Sequence, residues 1–373
     1  MLFVRPATPG DLPALAEAAR HLDSVNLPHD EGKLRESIVR SQRSFAAVAG
    51  GDAAAKTPAP TAHGDDDGEF VFVMVEPEAD GRERVVGSSM IFARHGSRRA
   101  PHSFFDVFDD ERYSETLDRH IRHKVLRLGY NYEGLTELGG LVLLPSHRGH
   151  PDRLGKSLVF VRFLYIALHR AHFRDQMVAE LMPPLEADGT SLLWEALGRH
   201  FTGLSYQDAD RLSRANKEFI RALFPQDPIY ATLLPPGAQA MIGKVGPHTR
   251  GVERMLTEAG FRYANRIDPF DGGPHFHART DELAPIVRTR RVPIAAVGPI
   301  PARTPSVRAE AVAISSDGDW EGPALIARLT VPPPHFVAVR AQVALRAGAL
   351  LLPADAAATL RAGVGETVGV LPL

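Results

Sequence analysis

The stretch LLPSHRGHPDRLGKSLVF, residues 143–160, decides how the chain is read. From Gly149 to Ser157 it spells G-x-x-x-x-x-G-K-S, a nucleotide-binding P-loop with five residues between its glycines where four are needed. That spacing normally aims successive main-chain N–H groups at phosphates while the lysine reaches the β and γ positions. The extra residue, together with Pro151, which has no N–H to offer, disrupts such a nest. No strand ending in a Walker B aspartate is evident. What remains is the strand ELGGLVLLP, a glycine-containing loop, and then GKSLVFVRFLYIALHRAHF, apolar on most sides and so a buried helix. A loop entering a buried helix is an anion site for any pyrophosphate, because unpaired N–H groups and the helix dipole point at it. The plain alternative is an ordinary strand-to-helix turn.

The chain around this loop has 373 residues, enough for two or three domains with a sizeable core. Apolar residues make up 44% and charged residues 24%, with a net charge of −2 and interspersed signs. Nothing in that balance suggests nucleic-acid or membrane binding. The absence of cysteine excludes disulfides, cysteine-ligated zinc and thiol nucleophiles, and fits a cytoplasmic location. The N-terminal MLFVRPATPGDLPAL lacks the charged-then-apolar pattern of a signal peptide. SLVFVRFLYIAL is interrupted by Arg162 and too short to span a bilayer.

LFVRPA alternates like a strand, and TPGDLPALAEAARHL follows as a helix started by Thr8 or Asp11. A second helix is expected over 31–44, and the Ala/Gly/Pro/Asp-rich residues 46–68 read as a mobile loop. EFVFVMVEP and RVVGSSMIFAR form a hairpin across EADGRE, and DQMVAELMP supplies the strand after the buried helix. GTSLLWEALGRHFTGL and TRGVERMLTEAGFRYAN each read as an amphipathic helix, a glycine and an aromatic. Gly198 and Gly260 suit left-handed helix ends, and the pairing hints at an internal repeat. From about Pro285, short strands with frequent proline and glycine point to a small β-rich region. In PHFHA, His275 and His277 would share a strand face, but no third metal ligand lies nearby, so they are expected as a solvated loop pair and no metal is expected. HRAHF and HIRH are read as helical-surface histidines by the same argument.

Acyl-CoA N-acyltransferases carry a comparable loop, typically Arg/Gln-x-x-Gly-x-Gly/Ala, after a central strand. Here Arg148 opens the loop and Gly155 closes it, with Gly149 inside it and Arg153 and Lys156 as available cations. The resemblance then becomes more specific. LFVRPA, TELGGLVLLPSHRG, FRDQMVAELM, LLWEALGRHF, DPIYATLLPPGAQAMIGKVGPHT, MLTEAGFRY, IDPFDGGP and AGALLLPADAAATLRAGVGETVGVLPL resemble, in this order and end to end, the arginine/ornithine N-succinyltransferase family. The resemblance implies an α+β, acyl-CoA N-acyltransferase (GNAT-like) mixed sheet flanked by helices, with a possible tandem repeat and a small C-terminal β-rich domain. It implies a core over 1–200, a helical insertion and second acyltransferase-like unit over 201–284, and the β-rich domain over 285–373. It also implies transfer of succinyl from succinyl-CoA to the α-amine of arginine, in arginine catabolism. Succinyl-CoA would be the co-substrate, and a homo-oligomer or a hetero-oligomer with a paralogue is expected.

Direct transfer from a thioester needs a cradle for the CoA pyrophosphate, donors for the oxyanion, a deprotonated amine and an acid for the leaving thiolate. The family's acyl-CoA contact falls on Leu141, and its acidic positions on Glu137 and Glu180, either of which could take the amine proton or pair with a guanidinium. Asp271, in the turn FDGGP, is a further guanidinium candidate. The family's histidine proton donor, in a Val-His-Pro segment, falls on Gly246, with His248 two residues on. Either the loop shifts to place His248 as the donor, or the usual acid is lost. The second outcome would suit a changed acceptor, such as ornithine, or a non-catalytic partner subunit. Met182-Pro183 is a second departure, standing where the family commonly has arginine and glycine.

Overall fold

The fold is described from a computed structural model, which covers residues 1–20, 27, 30–50, 68–98, 100–213, 217–300, 319–330 and 332–373. Fifteen strands lie in one sheet among these residues. In chain order they are β1 (Phe3–Pro6), β2 (Glu69–Pro77), β3 (Glu83–His95), β4 (His102–Ser114), β5 (Arg119–Asn131), β6 (Leu135–Leu143), β7 (Gln176–Glu180) and β8 (Ile229–Tyr230). β9 (Arg262–Ile267), β10 (Pro274–Arg279), β11 (Arg290–Val297), β12 (Trp320–Leu329), β13 (Phe336–Arg346), β14 (Ala349–Leu352) and β15 (Thr367–Pro372) complete the set. Helices α1 (Leu12–Ala19), α2 (Glu31–Ala49) and α3 (Leu154–Leu168) pack on the N-terminal half. The architecture is α+β, and no helix of the described residues is long and apolar enough to cross a membrane.

The order across the sheet is β12-β15-β11-β14-β13-β1-β2-β3-β6-β7-β10-β9-β4-β5-β8. β12 also pairs with β13, so the five C-terminal strands close on themselves, and β13 joins this ring to β1. The β-rich tail is therefore hydrogen-bonded into the same sheet as the rest of the chain.

The expected helix α3 is buried along almost its whole length. Tyr165 meets Phe45 of α2, Phe72 of β2 and Phe336 of β13 at ring-centroid separations of 5.1, 5.4 and 5.2 Å. These edge-on contacts pin α3 under the middle of the sheet. β6 and β7 are parallel, as a strand–helix–strand crossover requires.

Several expectations change. Residues 46–49 belong to α2, while 51–67, most of the stretch read as a mobile loop, lie outside the described residues. HIRH, His120–His123, sits on β5 and not on a helix. β4 and β5 form a long hairpin whose facing residues carry opposite charges, Asp109 opposite Lys124 and Glu111 opposite Arg122. Cross-strand pairs of that kind favour a strand despite the lack of apolar alternation. Gly198 is helical, at φ −59°, because the chain turns on through Arg199–Thr202 to a left-handed Gly203. A Cβ at Gly198 would lie 2.3 Å from the Trp194 ring, so this glycine serves packing. Gly260 does end its helix, at φ 124°. The two glycines that hinted at a repeat are thus not equivalent.

Candidate active site

The loop of residues 144–153 leaves β6 and enters α3, with Arg148, Gly149, Pro151, Asp152 and Arg153 exposed. Gly149 (φ 76°) and Arg153 (φ 48°) take left-handed conformations, and nothing lies within 4 Å of where a Cβ at Gly149 or Gly155 would be. The N–H groups of Leu154 and Gly155, the first two of α3, find no main-chain acceptor among the described residues, as helix geometry dictates. Arg153 is exposed and Lys156 half-buried over the Phe160 ring, while Arg148 turns back to donate to the Leu143 carbonyl at 3.1 Å. Arg340 of β13 reaches the loop and donates to the Asp152 carbonyl. Burial, with the charges of Arg340 and Arg153, lowers the Lys156 ammonium pKa. Asp152 in the loop acts on Arg340 and Glu258 acts on Lys156, but Arg153, Lys156 and Arg340 outnumber them, so the loop and α3 form a net-positive cradle for an anion.

Behind the cradle, β6 and β7 part. They are paired only at Thr136↔Met177 and Glu137↔Val178, although β6 runs on to Leu143 and β7 to Glu180. Gly140, at φ 54°, marks an irregularity in β6 where its register with β3 shifts. Leu141 is half-buried beyond the parting point. A gap between two parallel strands leaves main-chain groups able to bind an extended ligand.

Alternation then separates chemistry from core. Met177 and Ala179 of β7, with Phe276 of β10, face α3. Val178, Glu180, His275 and His277 therefore share the opposite face, since His275 pairs with Glu180 and His277 with Val178. On that face His102 Nε2 lies 2.6 Å from Glu180 Oε1, and His275 Nε2 lies 3.6 Å from the same oxygen. The His102 and His275 rings stack with centroids 5.2 Å apart, and His95 meets His102 edge-on at 4.7 Å. His95 Nδ1 in turn pairs with Glu137 at 2.8 Å. Four strands thus bring three imidazoles to one carboxylate.

The surroundings set their protonation. Burial alone would raise the Glu180 carboxyl, but His275, His102 and His95 outweigh it and hold it well below the usual range. Burial lowers His102 despite its bond to Glu180, and lowers His275 to about 3, so both rings are neutral near pH 7. Burial also opposes the charge on His95, but Glu137 prevails and raises it. Neither ring nitrogen of the fully buried His275, nor Nδ1 of His102, has a hydrogen-bond partner among the described residues. Such unsatisfied buried groups are rare and point to a ligand.

The turn after β9 closes the site. Asp268 Oδ1 accepts from the Phe270 N–H at 2.6 Å, and Asp271 Oδ1 from the Gly273 N–H at 2.7 Å. Burial raises the Asp268 carboxyl to about 7, and burial with the Asp268 charge raises Asp271 well above normal. The donor atoms of His95, His102 and Glu180, and of Glu180, Asp268 and His275, lie within 4.8 Å of one another in each set. Either set is close enough to surround a metal ion or a substrate ammonium. A cleft of about 750 Å³ is lined in part by Phe104, Tyr130, Glu133 and Arg266, and the Phe104 ring lies 6.0 Å from that of His102.

The sequence-derived candidates thus fall into separate groups. Glu137 and Glu180 are in the histidine cluster, and Asp271 lies beside it in the turn that holds Asp268. Arg148, Gly149, Arg153, Gly155 and Lys156 are in the loop, and Leu141 lies between. His248 is exposed, on the turn before the helix Arg250–Ala259, and belongs to neither ligand set. His275 and His277 are on β10 rather than in a solvated loop, and the third ligand absent from their sequence neighbourhood arrives from β4, β7 and the Asp268 turn. Sequence reasoning missed His95, His102, Asp268 and Arg340. The alternation of PHFHA was a usable signal for His275. Nothing local marked the others, because their partners lie far away in the chain.

Comparison with known proteins bears on this geometry. The family model described as arginine N-succinyltransferase beta subunit matches residues 2–285. The arginine N-succinyltransferase subunit beta of Pseudomonas aeruginosa is 32% identical over 376 aligned residues, covering 100% of this chain and 98% of that one. The subunit alpha of the same organism is 33% identical over 304 residues, covering 79% of this chain and 82% of its own. The solved arginine/ornithine succinyltransferase subunit AI from Pseudomonas aeruginosa superposes with a TM-score of 0.77 at 28% identity, covering 100% of this chain and 98% of that one.

Proposed function

The chain belongs to the arginine N-succinyltransferase family, an acyltransferase family, and from that membership and its site we propose that it transfers succinyl from succinyl-CoA to the α-amine of arginine by direct attack. We read β1–β7 with α1–α3 as the GNAT-like acyl-CoA unit. The CoA pyrophosphate lies on the 148–156 loop, and the pantetheine enters the gap between β6 and β7 alongside Leu141. The observation that carries the reading is the position of Glu180. It ends β7 where the strands part, so the acyl slot leads straight to the histidine cluster.

Proton transfer falls to His102 and Glu180. His102 Nε2–H donates to Glu180, which leaves the neutral Nδ1 able to accept the amine proton while Glu180 stabilises the imidazolium formed. The free amine attacks the thioester carbon, the tetrahedral intermediate collapses, and the C–S bond breaks to give the amide and the CoA thiolate. His102 can return its proton to that sulfur. Glu137, Asp268 and Asp271 supply the acidic surroundings suited to a guanidinium. His248, exposed at its turn, is not needed as the shifted donor.

Incubation of the protein with succinyl-CoA and arginine should release CoA thiol and yield N-succinylarginine by mass. Thiol release with ornithine or another amine alone would reassign the acceptor, and no release with any amine would refute catalysis by the isolated chain. A second reading follows from Gly246: the chain acts as a non-catalytic partner of a paralogue, as separate alpha and beta subunits exist in Pseudomonas aeruginosa. It predicts CoA binding without turnover, and turnover only on co-expression with the paralogue.

A further inference from the structure

Arg162 sits in the middle of α3 at 2% exposure, surrounded by the apolar residues that make that helix the core of the sheet. Among the described residues it has no carboxylate partner. Its Nε donates to the Val159 carbonyl at 3.3 Å and its Nη1 to the Gly139 carbonyl at 3.4 Å, both long contacts. Burial pulls the guanidinium down to about 9. A guanidinium has five N–H donors and is costly to bury without a counter-ion. Methionine or leucine would fill this place in an apolar helix without that cost. Gly139 is two residues past the last β6–β7 pair, so the cation lies at the point where the strands separate and where the acyl slot begins.

We propose that Arg162 is the donor-specificity residue: it receives the free terminal carboxylate of a dicarboxylic acyl-CoA held between β6 and β7. This rests on the acyl-CoA reading above and deepens it, because the counter-ion arrives with the acyl group. The position also answers the departure at Met182-Pro183, where no cation remains to hold a donor carboxylate. A site with a buried polar group awaiting its partner rejects analogues lacking that partner far more strongly than a site that reads size alone.

The test uses two stable thioethers, S-(3-carboxypropyl)-CoA and S-butyl-CoA, titrated calorimetrically into the full chain with no amine present. The wild type should bind the carboxylate ligand at least ~100-fold more tightly than the butyl ligand. Arg162→Met should bring the two affinities within about 3-fold of each other by weakening only the carboxylate ligand, while its melting temperature holds, since an apolar replacement of a buried charge is often neutral or stabilising. A purely structural arginine would change both affinities equally. Equal affinities in the wild type overturn the proposal whatever the variant does, as does a preference that survives in Arg162→Met. If Arg162→Met fails to fold, Arg162→Lys replaces it, and retention of the full preference there, without the bidentate fork, likewise overturns it. Failure of CoA itself to bind would refute the acyl-CoA reading instead, which makes the two failures separable.

Discussion

Substituting Gly246 by alanine should destabilise the protein and leave it no closer to carrying a histidine at this position. A Cβ at Gly246 would lie 2.8 Å from the Pro183 carbonyl oxygen and 2.9 Å from that of Met182, both backbone atoms unable to rotate away. Relief requires the turn to move by several tenths of an ångström. The Gly246 N–H bonds to the Met182 carbonyl at 2.8 Å, and Thr249 Oγ1 donates to the same oxygen at 3.0 Å, so movement weakens both bonds. Losing or stretching such bonds costs about 0.5–1.5 kcal/mol each, and overpacking typically about 1–3 kcal/mol. The gain from a stiffer unfolded chain, about 0.4–1 kcal/mol, offsets only part. A net loss of about 2–4 kcal/mol should appear as a melting temperature several degrees lower and an earlier urea midpoint with unchanged slope. Gly246→His should be at least as destabilised and should not raise the transfer rate. An alanine variant as stable as the wild type would show that a side chain fits here, and the assignment of proton transfer away from this position would lose its basis.

Other outcomes follow from the site. His102→Gln should lower kcat about 10²–10³-fold with CoA affinity unchanged, whereas His248→Ala should stay within about 2-fold; the reverse ranking would return proton transfer to His248. Asp268 has a folded-state pKa raised to about 7 from 3.8, so the stability it contributes is fully present below 3.8 and is lost as the pH rises through 7. Asp268→Asn keeps the acceptor for the Phe270 N–H and should therefore gain on the wild type by about 2–3 kcal/mol between pH 5 and pH 8; thermal melts showing a constant difference would contradict this. Lys156→Ala and Arg340→Ala should each weaken CoA binding about 10-fold by calorimetry, less at high salt, and leave binding of pantetheine alone unchanged.

Much of the N-terminal half was legible because its signals are local. The alternation of EFVFVMVEP, the glycines of the 149–155 loop and the continuous apolar run of α3 each report on their own segment, and β2, β6, α3 and β7 lie where those patterns place them. The β4–β5 hairpin was not legible. Its strands carry runs of charge on both faces, and they become strands through pairing with each other and, over a few residues, with β9 and β8. The histidine cluster was hidden for a related reason. His95, His102, Glu180 and His275 stand on β3, β4, β7 and β10, and β4 reaches β10 only through β9, a strand more than a hundred residues later. A metal- or proton-binding pattern read along the chain needs short spacings, and here the spacing is set by the sheet. Gly198 misled for the opposite reason: a local rule about helix ends was overridden by the bulk of Trp194.

The same contrast explains the two departures in the motifs, which the sequence presents as unrelated and the structure joins. The chain from Leu181 to Pro183 runs between two turns. On one side Gly246 has room for no side chain against the Met182 and Pro183 carbonyls; on the other a Cβ at Gly273 would lie 2.4 Å from the Leu181 carbonyl and 3.1 Å from Pro183 Cδ. Proline restricts its own φ and the conformation of Met182 before it, so the segment cannot yield to either turn. A glycine at 246 is then the residue that a proline at 183 requires, which accords with the proposal that places proton transfer on His102. This makes the two positions energetically coupled. Pro183→Gly alone should cost stability, but combined with Gly246→Ala it should recover about 1 kcal/mol relative to the sum of the single effects, because the freed segment can move away from the new Cβ. A double-mutant cycle by urea denaturation measures that term directly. Strict additivity would make the departures independent, and the loss of histidine at 246 would then need a cause other than the packing of Pro183.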